Sequence, residues 1–174
     1  MKLFVYGTLL SPFYTASLIP ETSLRQPAAT IGRMYHYVRG GYPAISIPNN
    51  LIHAAGSLQY LEDEAVEQSQ ANLSWEDFRK LYADVYTHGF DWIYGELVEF
   101  EKPDEVMPAL DRYEGFRLDD PLYHRSLVPV KVDKGIVWAW VYHFLEDYPF
   151  EEEPEKDRFI RVPEGDWVAF LGNF

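Results

Sequence analysis

The chain begins with a strand that is cut short. Leu3-Phe4-Val5-Tyr6 is a compact apolar run with aromatic and β-branched members, the pattern of a buried strand. Gly7 breaks it at once, and Thr8-Leu9-Leu10 follows. A glycine there can take φ > 0 and lets the chain turn sharply without a Cβ clash. Backbone N–H groups after such a break converge on one small concavity, and a nest of that kind binds anions. Taken alone, the stretch reads as a first core strand ending in a tight turn.

Several further runs have the same strand texture. Ala28–Val38, Asp91–Phe100, Tyr123–Val132 and Gly135–Phe144 are rich in aromatic and β-branched residues, and Ala55–Leu61 reads as a further strand. Asp133-Lys134-Gly135 joins the last two as a hairpin turn. Ile45-Ser46-Ile47 is a short apolar-polar-apolar piece between two turns, Gly40–Ala44 and Pro48–Asn50.

Helical signals interrupt the strands. Ser11 and Pro12 have the order of an N-cap and first helical residue for a short helix ending before Pro20. From Glu62 to Gly89 the chain turns acidic and helical, and Ser74 with Asp77 gives a capping pattern. Trp75, Phe78, Leu81, Tyr82 and Val85 then share one apolar face, and Gly89 is a plausible stop. Pro103 opens another short helix through Tyr113, with Asp104 and Glu105 in its first turn and Gly115 as its end. Pro108 is expected to shorten it. The acidic stretch Glu146–Glu155 is expected to be exposed, and Asp157–Phe170 to dock back on the body. Short strands interrupted by helices predict an α+β fold, a small mixed barrel-like sheet flanked by short helices. At 174 residues the expectation is a single domain over residues 1–174, carrying a helical insertion at about 62–89.

Charge and composition narrow the function. The formal net charge of −13, without a basic patch, argues against nucleic acid as a partner. The absence of cysteine removes disulfides, thiolate nucleophiles and cysteine-ligated metals. No apolar stretch approaches a membrane span, and the apolar run after Met1-Lys2 is too brief for a signal peptide. A soluble, cytoplasmic protein without a membrane partner is the expectation. His36, His53, His88, His124 and His143 stand far apart, with no metal-ligand spacing. There is no Gly-x-Ser-x-Gly elbow and no glycine-rich phosphate loop.

One downstream segment carries candidate chemistry, Leu110-Asp111-Arg112-Tyr113-Glu114-Gly115-Phe116. Asp111 and Glu114 are three residues apart and share a face if the segment is helical. A carboxylate at a helix end, enclosed by Tyr113 and Phe116, is partly desolvated, which raises its pKa towards the range of a general base. The alternative is a solvated helix end with both carboxylates facing water.

Together these pieces resemble the gamma-glutamylcyclotransferase-like family. Val5-Tyr6-Gly7-Thr8-Leu9 is similar to its N-terminal Tyr-Gly-Ser/Thr-Leu loop, and Leu110–Gly115 to its Leu-Asp-x-x-Glu-Gly segment. Five shorter pieces follow the family's order: Gly41–Ala44, Tyr94–Leu97, Tyr123–Arg125, Trp140–Tyr142 and Gly165–Trp167. The resemblance departs at about Glu62–Gly89, the expected insertion, which could reshape the pocket rim.

The resemblance implies an enzyme that cyclises a γ-glutamyl group to 5-oxoproline and releases an amine or amino acid. It implies Glu114 as general base and acid, with Tyr6, Gly7, Thr8 and Leu9 binding substrate through their backbone amides, and Tyr123 donating a hydrogen bond in the pocket. Arg125 would then be structural, paired with Asp111. No metal or organic cofactor is implied; the partner is a small γ-glutamyl compound, and the oligomeric state stays open. Two other classes stand beside this reading. One is a non-catalytic small-molecule binding or regulatory protein on the same fold. The other is an interaction protein working through the aromatic helix around Trp75–Tyr82, whose apolar face would then be exposed.

Overall fold

The computed structural model describes residues 1–86, 88–116, 119, 123–152 and 158–172, and of 84–86 only the backbone. The opening strand β1 (Lys2–Val5) is flanked on both edges. It runs antiparallel to β5 (Asp91–Glu99) and parallel to β7 (Gly135–His143). Beyond these, β2 (Leu24–Tyr37) pairs with β5, and β6 (His124–Val132) forms a hairpin with β7. One further pairing, Ala29 with Lys131, joins β2 to β6 and closes the five strands into a barrel of order β2-β5-β1-β7-β6. The fold is therefore α+β around a small mixed barrel.

The period of two along β1 sets what lies on either side of it. Phe4 and Tyr6 pack in one cluster with Ile31, Ile93, Leu97, Val128 and Val141. Leu3 and Val5 pack in the other, with Met107, Leu110 and Trp140. That second face is covered by helix α3 (Pro103–Glu114). Its Val106, Met107 and Leu110 are buried. Each such side chain contributes roughly 1.5–3 kcal/mol on burial, so three together exceed the roughly 3 kcal/mol cost of a proline inside a helix. The helix accordingly runs unbroken through Pro108, contrary to the sequence expectation.

Helix α1 (Tyr60–Ser69) packs beside α3. It is tied to β1 by Glu67, which accepts hydrogen bonds from the Lys2 backbone N–H and from Lys2 Nζ, each 2.9 Å. Helix α2 (Trp75–Tyr86) starts at the expected cap, the Asp77 N–H donating to Ser74 Oγ at 3.1 Å. Phe78 is fully buried and both it and Tyr82 lie 5.8 Å from the Trp92 ring of β5. Leu81 also packs on the barrel core, whereas Trp75 is 49% exposed with Lys131 Nζ 5.8 Å over its ring. The side chain of Val85 lies outside the described residues. Most of the aromatic face is thus spent on the protein's own barrel.

Other expectations need correction. The stretch 40–44 is not all turn: the chain reverses at Gly41, whose φ is +68°, and Tyr42–Ser46 forms β3. This is an edge strand beside the second half of β2, where Pro43 costs no ladder bond that a neighbour needs. The stretch 55–61 is not a strand beyond the two-residue β4 (Ala54–Ala55), because the chain turns away at Gly56 and enters α1. Ser11 does not cap a helix; its hydroxyl donates to Glu96 Oε1 at 2.7 Å, and only a 3-10 turn forms, at Tyr14–Leu18. The acidic stretch 146–155 is not wholly exposed, since Phe150 is buried and stacks on Tyr35 at 4.2 Å; residues 153–155 lie outside the described set. The last segment does return to the body. Strand β8 (Phe159–Val162) pairs with β2, and the short helix α4 (Trp167–Leu171), capped by Asp166, places a buried Trp167 against the core.

If α2 holds the barrel together rather than serving a partner, truncating its buried anchor must cost stability. Phe78→Ala is expected to lower unfolding free energy by about 3–5 kcal/mol in chemical denaturation. Trp75→Ala, at the half-exposed end of the same face, is expected to cost far less.

Candidate active site

At the C-terminal end of β1 the backbone bends through Tyr6 and Gly7, and the Leu10 N–H donates to the Gly7 carbonyl at 2.9 Å. Gly7 is required for a reason other than the one expected from sequence. Its φ is not among the positive values; instead a Cβ there would lie 2.5 Å from Pro43 Cγ. The turn is held from behind by two strands. Arg25 of β2 donates to the Leu9 carbonyl at 3.1 Å and to Glu96 Oε2 of β5 at 2.7 Å, and the same carboxylate holds Ser11. Among the described residues, the N–H groups of Gly7, Thr8 and Leu9 have no acceptor within the chain.

The turn borders a cavity of about 300 Å³ lined by Phe4 to Leu9, Gly40, Tyr42, Pro43, Tyr113, Glu114, Tyr123 and Tyr142. All six residues singled out from sequence (Tyr6, Gly7, Thr8, Leu9, Glu114 and Tyr123) therefore meet in one place. Sequence reasoning missed Tyr42, Pro43 and Tyr142 as walls of the cavity; of the two rings expected to enclose Glu114, Tyr113 lines it and Phe116 is not among its lining residues. A signal for the missed walls was present, because each sits inside or beside one of the short pieces that carry the family resemblance. Among the described residues, none of α1 or α2 lines the cavity.

Helix α3 delivers Glu114 as its last residue because Gly115 takes a left-handed conformation, φ +68°, and ends the helix. The carboxyl thus sits at the negative end of the helix dipole, among phenol rings, with no hydrogen-bond donor on it among the described residues. Burial first, and then the negative charge of Asp111, push the Glu114 carboxyl up from its ordinary 4.5 to about 8. Glu114 in turn raises Tyr6, Tyr42 and Tyr123, for which burial is the larger cause. Among the described residues, no arginine, lysine or histidine lines the cavity.

The phenols are not equally available. The Tyr6 hydroxyl donates to the Tyr142 carbonyl at 2.9 Å, fixing β1 against β7. The Tyr123 hydroxyl donates to the Pro43 carbonyl at 3.3 Å, a long bond that a better acceptor can replace. Tyr113 and Thr8 share a 2.8 Å hydrogen bond between their hydroxyls at the cavity's exposed side, linking the turn to the end of α3. Behind the cavity, Arg125 pairs with Asp111, as one sequence reading had it. Among the described residues no three His, Asp or Glu side chains gather in a way that could hold a metal ion.

The sequence profile of the family described as gamma-glutamyl cyclotransferase, AIG2-like, matches residues 3–71 and 57–169. The chain belongs to this family. Its fold is similar to that of YkqA from Bacillus subtilis, with a TM-score of 0.53 and 20% identity over 98% of this chain. The chain spans only 40% of that protein's length. It is also similar to an AIG2-like protein from Mus musculus, with a TM-score of 0.51 and 15% identity, covering 91% of this chain and 94% of the mouse protein. None of the curated proteins matches the sequence.

The raised carboxyl has a consequence for stability. Between pH 4.5 and about 8 the folded chain keeps a proton on Glu114 that the unfolded chain has released, so stability falls as pH rises through that window. Glu114→Gln removes this slope. The variant is expected to match the wild type near pH 4.5 and to exceed it in unfolding free energy at pH 8 and above, measured by denaturant titration at each pH.

Proposed function

We propose that the chain is a γ-glutamyl cyclotransferase-type enzyme, converting a γ-glutamyl group to 5-oxoproline with release of an amine or amino acid. The observation that carries this reading is the meeting of Glu114 with the unpaired amides of Gly7–Leu9 in one small cavity. A γ-glutamyl group offers each side its complement: an α-carboxylate for the amides and an α-ammonium for the carboxyl.

The reaction is intramolecular. The α-amino nitrogen attacks the γ-carbonyl carbon, a five-membered lactam forms, and the C–N bond to the leaving amine breaks. Holding the folded conformer supplies much of the acceleration, since nucleophile and electrophile are already tethered. Proton movement is the remaining task. The ammonium must lose a proton before attack, and the leaving nitrogen must gain one.

The position of Glu114 on the pH scale supports that role. An α-ammonium ordinarily titrates near 8. A carboxyl at 4.5 would take its proton only at a cost of more than three powers of ten, whereas one near 8 exchanges it almost evenly. Glu114 therefore serves as base towards the attacking nitrogen and then as acid towards the leaving one. Tyr123 is placed to exchange its long bond to Pro43 for one to a substrate oxygen. The segment at 62–89 stands, in this reading, as an insertion that leaves the cavity walls to the rest of the chain.

The test is to incubate the protein with a panel of γ-glutamyl amines, dipeptides and isopeptides and to quantify 5-oxoproline. Turnover is expected to rise with pH towards about 8, and Glu114→Gln to lower kcat by about 10²–10⁴. Equal turnover by Glu114→Gln would sink the mechanism, and no product from any compound would favour a binding protein. Gly7→Ala, which drives a methyl into Pro43, is expected to weaken binding of 5-oxoproline in calorimetry, because the amides move with the turn.

A further inference from the structure

Behind the cavity lies a second, buried layer that no cavity residue needs for contact with substrate. Arg125 of β6 is 1% exposed and its guanidinium bridges two helices. One nitrogen, Nη2, donates to Asp63 Oδ2 of α1 at 2.8 Å, and the other, Nη1, to Asp111 Oδ1 of α3. Nη2 also donates to the Ser57 carbonyl. Asp63 is fixed in turn by the Ser57 N–H and hydroxyl, each at 2.9 Å. Space for the guanidinium comes from Gly56, where a Cβ would lie 2.6 Å from Arg125 Nε. Two carboxylates around one guanidinium leave the trio with one net negative charge.

The trio touches the cavity through Asp111. Its Oδ1 accepts a 2.5 Å hydrogen bond from the hydroxyl of Tyr142, whose ring lines the cavity, and Asp111 stands one helical turn before Glu114. Tyr60, the first residue of α1, lies over Arg125 at 5.4 Å. Its phenol is pushed up to about 12 by burial and then by the charge of Asp111, so α1 presents two residues to this layer. The groups around Glu114 are Tyr6 at the end of β1, Tyr42 of β3, Tyr123 before β6, Tyr142 of β7, and Tyr113 and Asp111 of its own helix. Among the described residues all but Asp111 are phenols, and Asp111 is the charge that acts on the carboxyl.

We propose that Asp63, Arg125 and Asp111 are positioning residues for Glu114, a buried charge trio through which α1 fixes the end of α3 and sets the charge behind the cavity. This rests on the reading of Glu114 as the proton carrier. It also gives α1 a task in the site although none of its side chains reaches the cavity. Removing either aspartate charge takes the trio from one net negative charge to none, which eases ionisation of the neighbouring carboxyl.

The test follows the Glu114 carboxyl directly, by carbon NMR of the full chain labelled in glutamate, with the resonance identified by its loss in Glu114→Gln. Asp111→Asn is expected to lower the titration midpoint by about one pH unit, the size a neighbouring unit charge imposes, and Asp63→Asn to lower it in the same direction by less. Asp63→Glu, which keeps the charge, is expected to leave it in place. The acidic limb of the rate–pH profile should move with the midpoint. Near-ultraviolet circular dichroism reports whether each variant keeps its packing, and either asparagine variant suffices if the other unfolds. An unmoved midpoint in a folded variant overturns the proposal, as does collapse of both, which would make the trio structural only. A moving midpoint without turnover by the wild type would refute the cyclotransferase reading alone; turnover with an unmoved midpoint would do the reverse.

Discussion

The constraint on which the rest depends is the double pairing of β1. Four residues, Lys2–Val5, are held antiparallel on one edge and parallel on the other. With both edges satisfied and both faces buried, the strand has no freedom to slide: a shift of one residue would exchange its two packing faces. The turn that follows is therefore fixed to within the tolerance of the barrel itself. The cavity inherits that rigidity, because one wall is the turn and another, Tyr142, belongs to the strand paired with β1.

Electrostatics in the cavity follow from what the lining omits. Phenols and apolar groups give a medium that penalises charge, and among the described residues no cationic side chain lines it to offset that penalty. Under those conditions a carboxyl at the end of a helix keeps its proton to higher pH, which is the direction found for Glu114. The same absence makes unpaired backbone amides worth more than they would be in water, since they are the donors a negative group would find. A lysine or arginine in this space would pull the carboxyl back towards its ordinary range and compete for it.

Much of the architecture was readable because its signals are local. The apolar run before Gly7, the capped helix at Ser74, the helix ended by Gly115 and the hairpin at Asp133–Gly135 each carry their pattern within a dozen residues. What escaped is non-local. Tyr42–Ser46 becomes a strand because β2 offers it an edge, although Gly40-Gly41-Tyr42-Pro43 has the composition of a turn. Closure through Ala29 and Lys131, about a hundred residues apart, leaves no mark on either segment. At Gly7 the residue type was legible and its cause was not, because the ring it accommodates comes from Pro43.

The pairing of Arg125 shows the same limit from the side of energetics. The sequence suggested Asp111 as its partner; nothing in it pointed to Asp63, which lies 62 positions away in the stretch expected to be a helical insertion. A buried guanidinium with one carboxylate would be neutral overall but left with donors unspent, and unspent donors in a dry interior cost about 1–3 kcal/mol each. Asp63 and the Ser57 carbonyl take up the donors of Nη2, while Nε has no hydrogen-bond partner among the described residues. The second carboxylate also changes the sign of the local charge, from balanced to negative, directly beneath the end of α3. Thus α1 is joined, through one arginine shared with Asp111, to the helix that carries Glu114.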